Sequence, residues 1–75
     1  MTNWEYGFLS VQSGRHGVLS LGGGDPQRLG ILDRQQVLGL LNDAGADGWE
    51  LVGTEVVGTA DATAHTVFWL KRERR

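Results

Sequence analysis

Apolar residues in this chain fall into short runs separated by glycine-rich or acidic breaks, and their spacing changes once along its length. From Trp4 to Val11, aromatic and β-branched residues predict a strand that places Trp4, Tyr6 and Phe8 on one face. Gln12-Ser13-Gly14-Arg15-His16-Gly17 reads as a turn, followed by the short apolar segment Val18-Leu19-Ser20-Leu21. Leaving all of residues 12–32 as loop would require about 21 unstructured residues, which is uncommon in a compact domain. A hairpin is therefore expected, with residues 17–21 returning beside the first strand. Gly22-Gly23-Gly24-Asp25-Pro26 then reads as a flexible turn that breaks any strand.

The spacing next shifts to that of a helix. Asp33 can serve as N-cap, Gln36 completes a capping box, and Leu32 with Val37 fits a hydrophobic staple. Val37, Leu40, Leu41 and Ala44 recur at i, i+3, i+4 and i+7, forming one apolar stripe. Gly39 costs about 1 kcal/mol relative to alanine in a helix, which points to close backbone packing there. Gly45 suits the left-handed position that ends the helix. A strand is expected from Trp49 to about Val57, a hairpin loop over residues 58–62, and a returning strand from Thr63 to Lys71. The expected fold class is α+β: a three- to four-stranded, mainly antiparallel sheet in the order β(β)αββ, with one helix packed on one face.

The strands do not alternate as a one-helix sheet should. Val67, Phe68, Trp69 and Leu70 are all apolar, and Phe8-Leu9, Leu51-Val52 and Val56-Val57 are adjacent apolar pairs. Near-continuous apolar strands are those covered on both faces. One short helix covers one face, so the pattern predicts that a second subunit covers the other. The segment at residues 17–32 is the competing cover.

Size sharpens that expectation. The 75 residues form one small α+β domain over residues 1–75, and a domain near this size buries only about 60–65% of the surface its unfolded chain exposes. Such domains usually add disulfides, a metal or oligomerisation. There is no cysteine, and the two histidines, His16 and His65, are too few for a histidine-based metal site without carboxylate help. Oligomerisation to a dimer or higher is the remaining staple.

Charge adds one asymmetry. Residues 71–75, Lys71-Arg72-Glu73-Arg74-Arg75, read as a basic C-terminal tail of net charge +3, whereas residues 1–70 hold three arginines against eight acids. Five terminal residues, four of them basic, on an acidic body argue against nucleic-acid binding, which needs a basic face. No apolar run reaches the ~20 residues of a membrane span. The first residues lack the basic and apolar regions of a signal peptide, so a cytoplasmic location is expected.

Three stretches carry a family resemblance: Trp4-Glu5-Tyr6 near the start, Leu41-Asn42-Asp43-Ala44-Gly45-Ala46-Asp47-Gly48-Trp49-Glu50-Leu51-Val52 in the middle, and Phe68-Trp69-Leu70-Lys71-Arg72 at the end. Together they resemble the small bacterial family known as domain of unknown function 4177, over essentially the whole chain. Its members run W-E-Y-K-V, then L-N-x-L-G-x-x-G-W-E-L-V, then an aromatic residue followed by L-K-R. This chain departs at Gly7, where a lysine is usual, at Ala44, where a leucine is usual, and in a longer segment over residues 12–32. The family has no assigned activity, so the resemblance implies a fold and leaves function open. On physical grounds alone, Gly45 and Gly48 permit a tight helix-to-strand connection, Trp49 and Leu51 pack, and Glu50 points outward or pairs with a basic group.

No residue pattern points to catalysis, a cofactor or a metal. Gly22-Gly23-Gly24 lacks the spacing and the lysine of a phosphate-binding loop. Asp43, Asp47, Glu50 and Glu55 do not have the spacing of a metal loop. Ser10, Ser13 and Ser20 belong to no nucleophile motif. Two functional readings follow. In the first, the chain is a structural or protein-interaction domain whose sheet face, with Phe68, Trp69 and Leu70, binds a copy of itself or a protein partner. In the second, oligomer interfaces form pockets lined by Trp4, Tyr6, Arg15, His65 and Trp69, suited to a planar or anionic small molecule.

Overall fold

In the computed structural model, which describes residues 3–12, 16–58 and 65–74, five strands and one helix follow in the order β1 (Trp4–Val11), β2 (His16–Leu21), β3 (Gln27–Ile31), α1 (Arg34–Ala46), β4 (Glu50–Val57) and β5 (His65–Glu73). The strands form one antiparallel sheet in the order β3-β2-β1-β5-β4, so the first and last strands pair at its centre. The α+β class and the single helix agree with the sequence, but the sheet has five strands rather than three or four. The additional strand is β3, just beyond the stretch Gly22–Pro26 read as a flexible turn. Gly22 and Gly23 both take positive φ, at 71° and 77°, a conformation that reverses the chain cheaply only in glycine. They let Gln27–Ile31 fold back on β2 although only Leu29 and Ile31 supply apolar side chains. No helix among the described residues is long and apolar enough to cross a membrane.

The helix begins as its sequence dictates. Asp33 Oδ1 accepts from the Gln36 amide at 2.8 Å, and the Asp33 amide donates to Gln36 Oε1 at 2.9 Å. Its end differs from expectation. Gly48, not Gly45, takes positive φ, at 92°, and the Trp49 amide donates to Ala44 O at 2.9 Å while the Gly48 amide donates to Gly45 O at 3.0 Å. These two bonds make a Schellman motif, with Gly48 in the left-handed position and Trp49 just beyond it packed back on Ala44. Gly39 does not mark close packing either, since a Cβ there would meet only open space.

Residues opposite one another in an antiparallel pair share a face, so the register assigns the two sides of the sheet. Glu5, Gly7, Leu9, Leu19, Leu21, Phe68, Leu70 and Arg72 lie on the helix side. There Ala44, Trp49 and Leu70 form a buried cluster joined by Leu21 and Leu41, and Leu9 is fully buried. Trp4, Tyr6, Phe8, Trp69 and Lys71 lie on the reverse side. Residues 17–31 do not cover that reverse side; they widen the sheet as β2 and β3. Residues 71–73 are likewise no tail but the end of β5, and the Arg74 amide extends the ladder by donating to Asn3 O at 2.8 Å. Arg75 and the expected loop residues 59–62 lie outside the described residues, as do Thr63 and Ala64 at the expected start of the last strand.

Gly7 is required by the strand beside it. A Cβ at this position would sit 2.6 Å from Ser20 O and 2.7 Å from Leu21 Cδ2, so a larger side chain has no room while β2 lies alongside. Gly7→Ala should destabilise the fold by about 2 kcal/mol through overpacking, a fall in Tm of roughly 8–16 °C for a domain of this size. Gly39→Ala, facing open space on the helix, should raise stability by about 0.5–1 kcal/mol. Thermal melts followed by circular dichroism check both.

Candidate functional site

Strand alternation sends the residues of the Trp4-Glu5-Tyr6 and Trp69-Leu70-Lys71-Arg72 stretches to opposite sides of the sheet, creating two clusters with different chemistry. On the helix side, Arg72 joins all three motif stretches. Its Nη2 donates to Glu5 Oε1 at 2.8 Å, and its Nη1 donates to Asp47 Oδ2 at 2.9 Å and to Asp47 O at 3.2 Å. The guanidinium also lies over the ring of Trp49, 4.6 Å from its centroid. The Arg72 stem runs beside Gly48, where a Cβ would meet it at 3.4 Å, an ordinary contact, and where the positive φ of 92° is what requires glycine. Arg74 adds a longer contact to Glu5 Oε2 at 3.8 Å.

Glu5, Asp47, Gly48, Arg72 and Arg74, with Ala46 and Glu73, line an open cleft of about 720 Å³. Its central cation is already occupied by two carboxylates and a helix-end carbonyl. The arrangement ties β1, β5 and the end of α1 together, with three of the five guanidinium N–H groups already donating within the chain.

The reverse side is the better candidate. Trp4 and Tyr6 on β1 are exposed, Tyr6 at 61%, and Trp69 on neighbouring β5 is 41% exposed. Phe8 sits opposite Trp69, with ring centroids 5.6 Å apart and planes tilted by 58°, an edge-inclined geometry favoured by the ring quadrupoles. Trp69 Nε1 donates to Glu55 Oε1 on β4 at 2.8 Å. Lys71, opposite Tyr6, holds its Nζ 4.4 Å from the Trp4 ring centroid. The result is an aromatic band across the two central strands, pinned by a carboxylate at one end and capped by an ammonium at the other.

Of the residues expected to line a ligand site, Trp4, Tyr6 and Trp69 share this face. His65 falls on the same face but at the other end of β5, where its partner is Val57 and Trp4's partner is Glu73. Eight residues of strand, about 26 Å, separate the His65 and Glu73 ends. Arg15 lies outside the described residues. The expected interface set of Phe68, Trp69 and Leu70 divides: Leu70 is 3% exposed on the helix side, and Phe68 shares that side opposite Leu9. Only Trp69 faces outward, since three consecutive strand residues cannot share one surface. Phe8, Lys71 and Glu55 complete the band and were not foreseen as site residues. The two-residue spacing of Phe8 from Tyr6 and of Lys71 from Trp69 was the available signal for the first two; Glu55 needed the β4–β5 register.

No protein family, curated protein or solved structure matches the chain.

Glu5 is largely sheltered, with 14% of its side chain exposed, whereas Arg72 is about one-third exposed. A charge-assisted hydrogen bond of this kind contributes about 1.5–3 kcal/mol, reduced by solvent at the Arg72 end. Glu5→Gln keeps the shape and removes the charge. It should lower Tm by roughly 5–10 °C, and the difference from wild type should shrink at high salt; melts at two ionic strengths check this.

Proposed function

We propose that this chain is a small self-associating interaction domain without catalytic activity, working in the cytoplasm, whose aromatic sheet face is covered by a second copy of itself. The supporting observation is the exposed band of Trp4, Tyr6 and Trp69 beside Phe8 on the face opposite the helix, where Ser20 and Val67 are buried and these three rings are not. Contiguous apolar surface of this kind marks interaction sites. Each such aromatic side chain presents about 150–250 Å² when fully exposed. Burying the exposed half of three of them would contribute roughly 7 kcal/mol per copy at about 25 cal/mol per Å². Association costs about 4–15 kcal/mol; one band meeting a polar surface contributes an amount inside that range, whereas two bands meeting one another contribute about 14 kcal/mol, near its upper end. A two-fold arrangement brings the same patch from both copies together.

A second reading, capture of a planar anionic small molecule, draws on Lys71 over Trp4. A ligand stacked on the band would take its charge from that ammonium.

Native mass spectrometry and light scattering after gel filtration separate these readings. The wild type should run as a dimer or larger assembly with no additional mass. Tyr6→Glu, at a position with ample room and with Lys71 opposite, should at least halve the assembly mass and leave the circular dichroism spectrum unchanged. A wild type that is monomeric at its highest soluble concentration overturns the self-association reading. A reproducible bound mass lost in Lys71→Met would establish the ligand reading instead.

A further inference from the structure

We infer that β4 is a pairing edge, and that a second copy of this chain adds its own β4 antiparallel to it, making a ten-stranded sheet across a two-fold axis. The two ends of the sheet are built differently. At one end, β3 has five residues, follows Pro26 and carries Arg28. Short length, proline and charge are devices that keep an edge from pairing further. At the other end, β4 has eight residues and no proline or lysine. Among the described residues only β5 pairs with it. Val52 is 56% exposed and Val56 72% exposed, and Leu51 and Val57 are exposed as well.

The charge that could guard this edge is turned away from it. Glu55, in the middle of β4, is held back over the sheet by the Trp69 indole at 2.8 Å. Glu50 stands at the start of the strand, opposite Lys71 of β5.

The sequence of β4 also selects one self-pairing. The register with β5 shifts between Leu51 and Gly53, which makes Val52 the extra residue of a bulge and leaves it on the same side as Leu51. Leu51, Val52, Thr54 and Val56 then face the helix side, while Glu50, Gly53, Glu55 and Val57 face the aromatic side. A two-fold axis at Thr54 sets Thr54 against Thr54, Gly53 against Glu55 and Val52 against Val56, so over residues 52–56 each pair keeps its face and no like charges meet; Leu51 and Val57, on opposite faces, fall outside this paired stretch. An axis at Glu55 opposes two carboxylates, and one at Gly53 sets Leu51 against Glu55 and Glu50 against Val56. An axis between two residues would put side chains of opposite faces together, which antiparallel pairing forbids. The surface needing cover is thus self-complementary, and a second copy fits it. The contact is small, so the pairing is a concentration-dependent equilibrium.

This edge is separate from the aromatic face and is tested in a chain carrying Tyr6→Glu, which disables the face. The chain has no cysteine, so a single Thr54→Cys reports on the edge without background. Directly opposed residues in an antiparallel pair have Cα atoms about 4.5–5.5 Å apart, within the reach of a disulfide. Under mild oxidation, Thr54→Cys should become mostly a reducible covalent dimer. Adding Val56→Lys should cut its rate of formation at least ten-fold, and Arg28→Cys on the guarded edge should crosslink only at the slow rate of random collision. Circular dichroism confirms that each variant is folded. A folded Thr54→Cys chain that stays monomeric, or crosslinks no faster than Arg28→Cys, overturns the edge inference. Fast crosslinking at Thr54, in a protein whose wild-type mass does not depend on Tyr6, upholds the edge and overturns the face reading.

Discussion

The guanidinium of Arg72 reaches three parts of the chain that are far apart in sequence: Glu5 in the first strand, Asp47 at the end of the helix and the ring of Trp49 leading into β4. Much of the fold follows from that one meeting point. The helix must end where a carbonyl can accept from Arg72, and the positive φ of Gly48 turns the chain beside the arginine stem. Trp49 is then turned inward as the largest member of a small core. A cation near the last carbonyls also complements the negative end of the helix dipole. The residues of the three motif stretches thus account for one another physically, as the parts of a clasp in a domain with no disulfide to hold it.

A single helix of 13 residues cannot shelter five strands. It settles over the part of the sheet where Gly7 lets Leu21 close in and where Leu70 rises to meet Ala44 and Leu41. Two regions stay bare: the reverse face of β1 and β5, rich in aromatic rings, and the whole of β4. The second region adjoins the first, because Trp69 and Glu55 link β5 to β4 across the reverse face. Under the proposed self-association, a second copy would cover such surfaces.

Much of this organisation was legible in the sequence. The span of β1, the capping box and the apolar stripe of the helix follow from local rules that act within a few residues, and the structure obeys them. The strand β3 was not legible, because Gln27-Arg28-Leu29-Gly30-Ile31 forms a strand through its partner β2 and not through its own propensity. The choice between Gly45 and Gly48 as the helix stop depended on Trp49 being drawn into the core, a tertiary effect. The partition of Phe68-Trp69-Leu70 was hidden for a related reason: when both faces carry apolar side chains, alternation cannot say which is inside. Only the position of the helix decides it, and that position depends on Gly7.

The pairing of β1 with β5 has a further consequence for how the chain reaches this fold. Trp4 lies opposite Glu73, so the sheet's central ladder joins residues almost the full length of the chain apart. Contacts of such long sequence separation require a large loop to close before they yield any stabilisation, which slows folding. During synthesis, β1 and β2 emerge first and can form only an isolated hairpin, a marginal structure in water. Leu9, fully buried in the finished protein, remains without half of its surroundings until Phe68 and its neighbours have left the ribosome. The core of this domain is therefore completed only once β5 has followed, and a nascent chain passes through an interval in which Leu9 is uncovered.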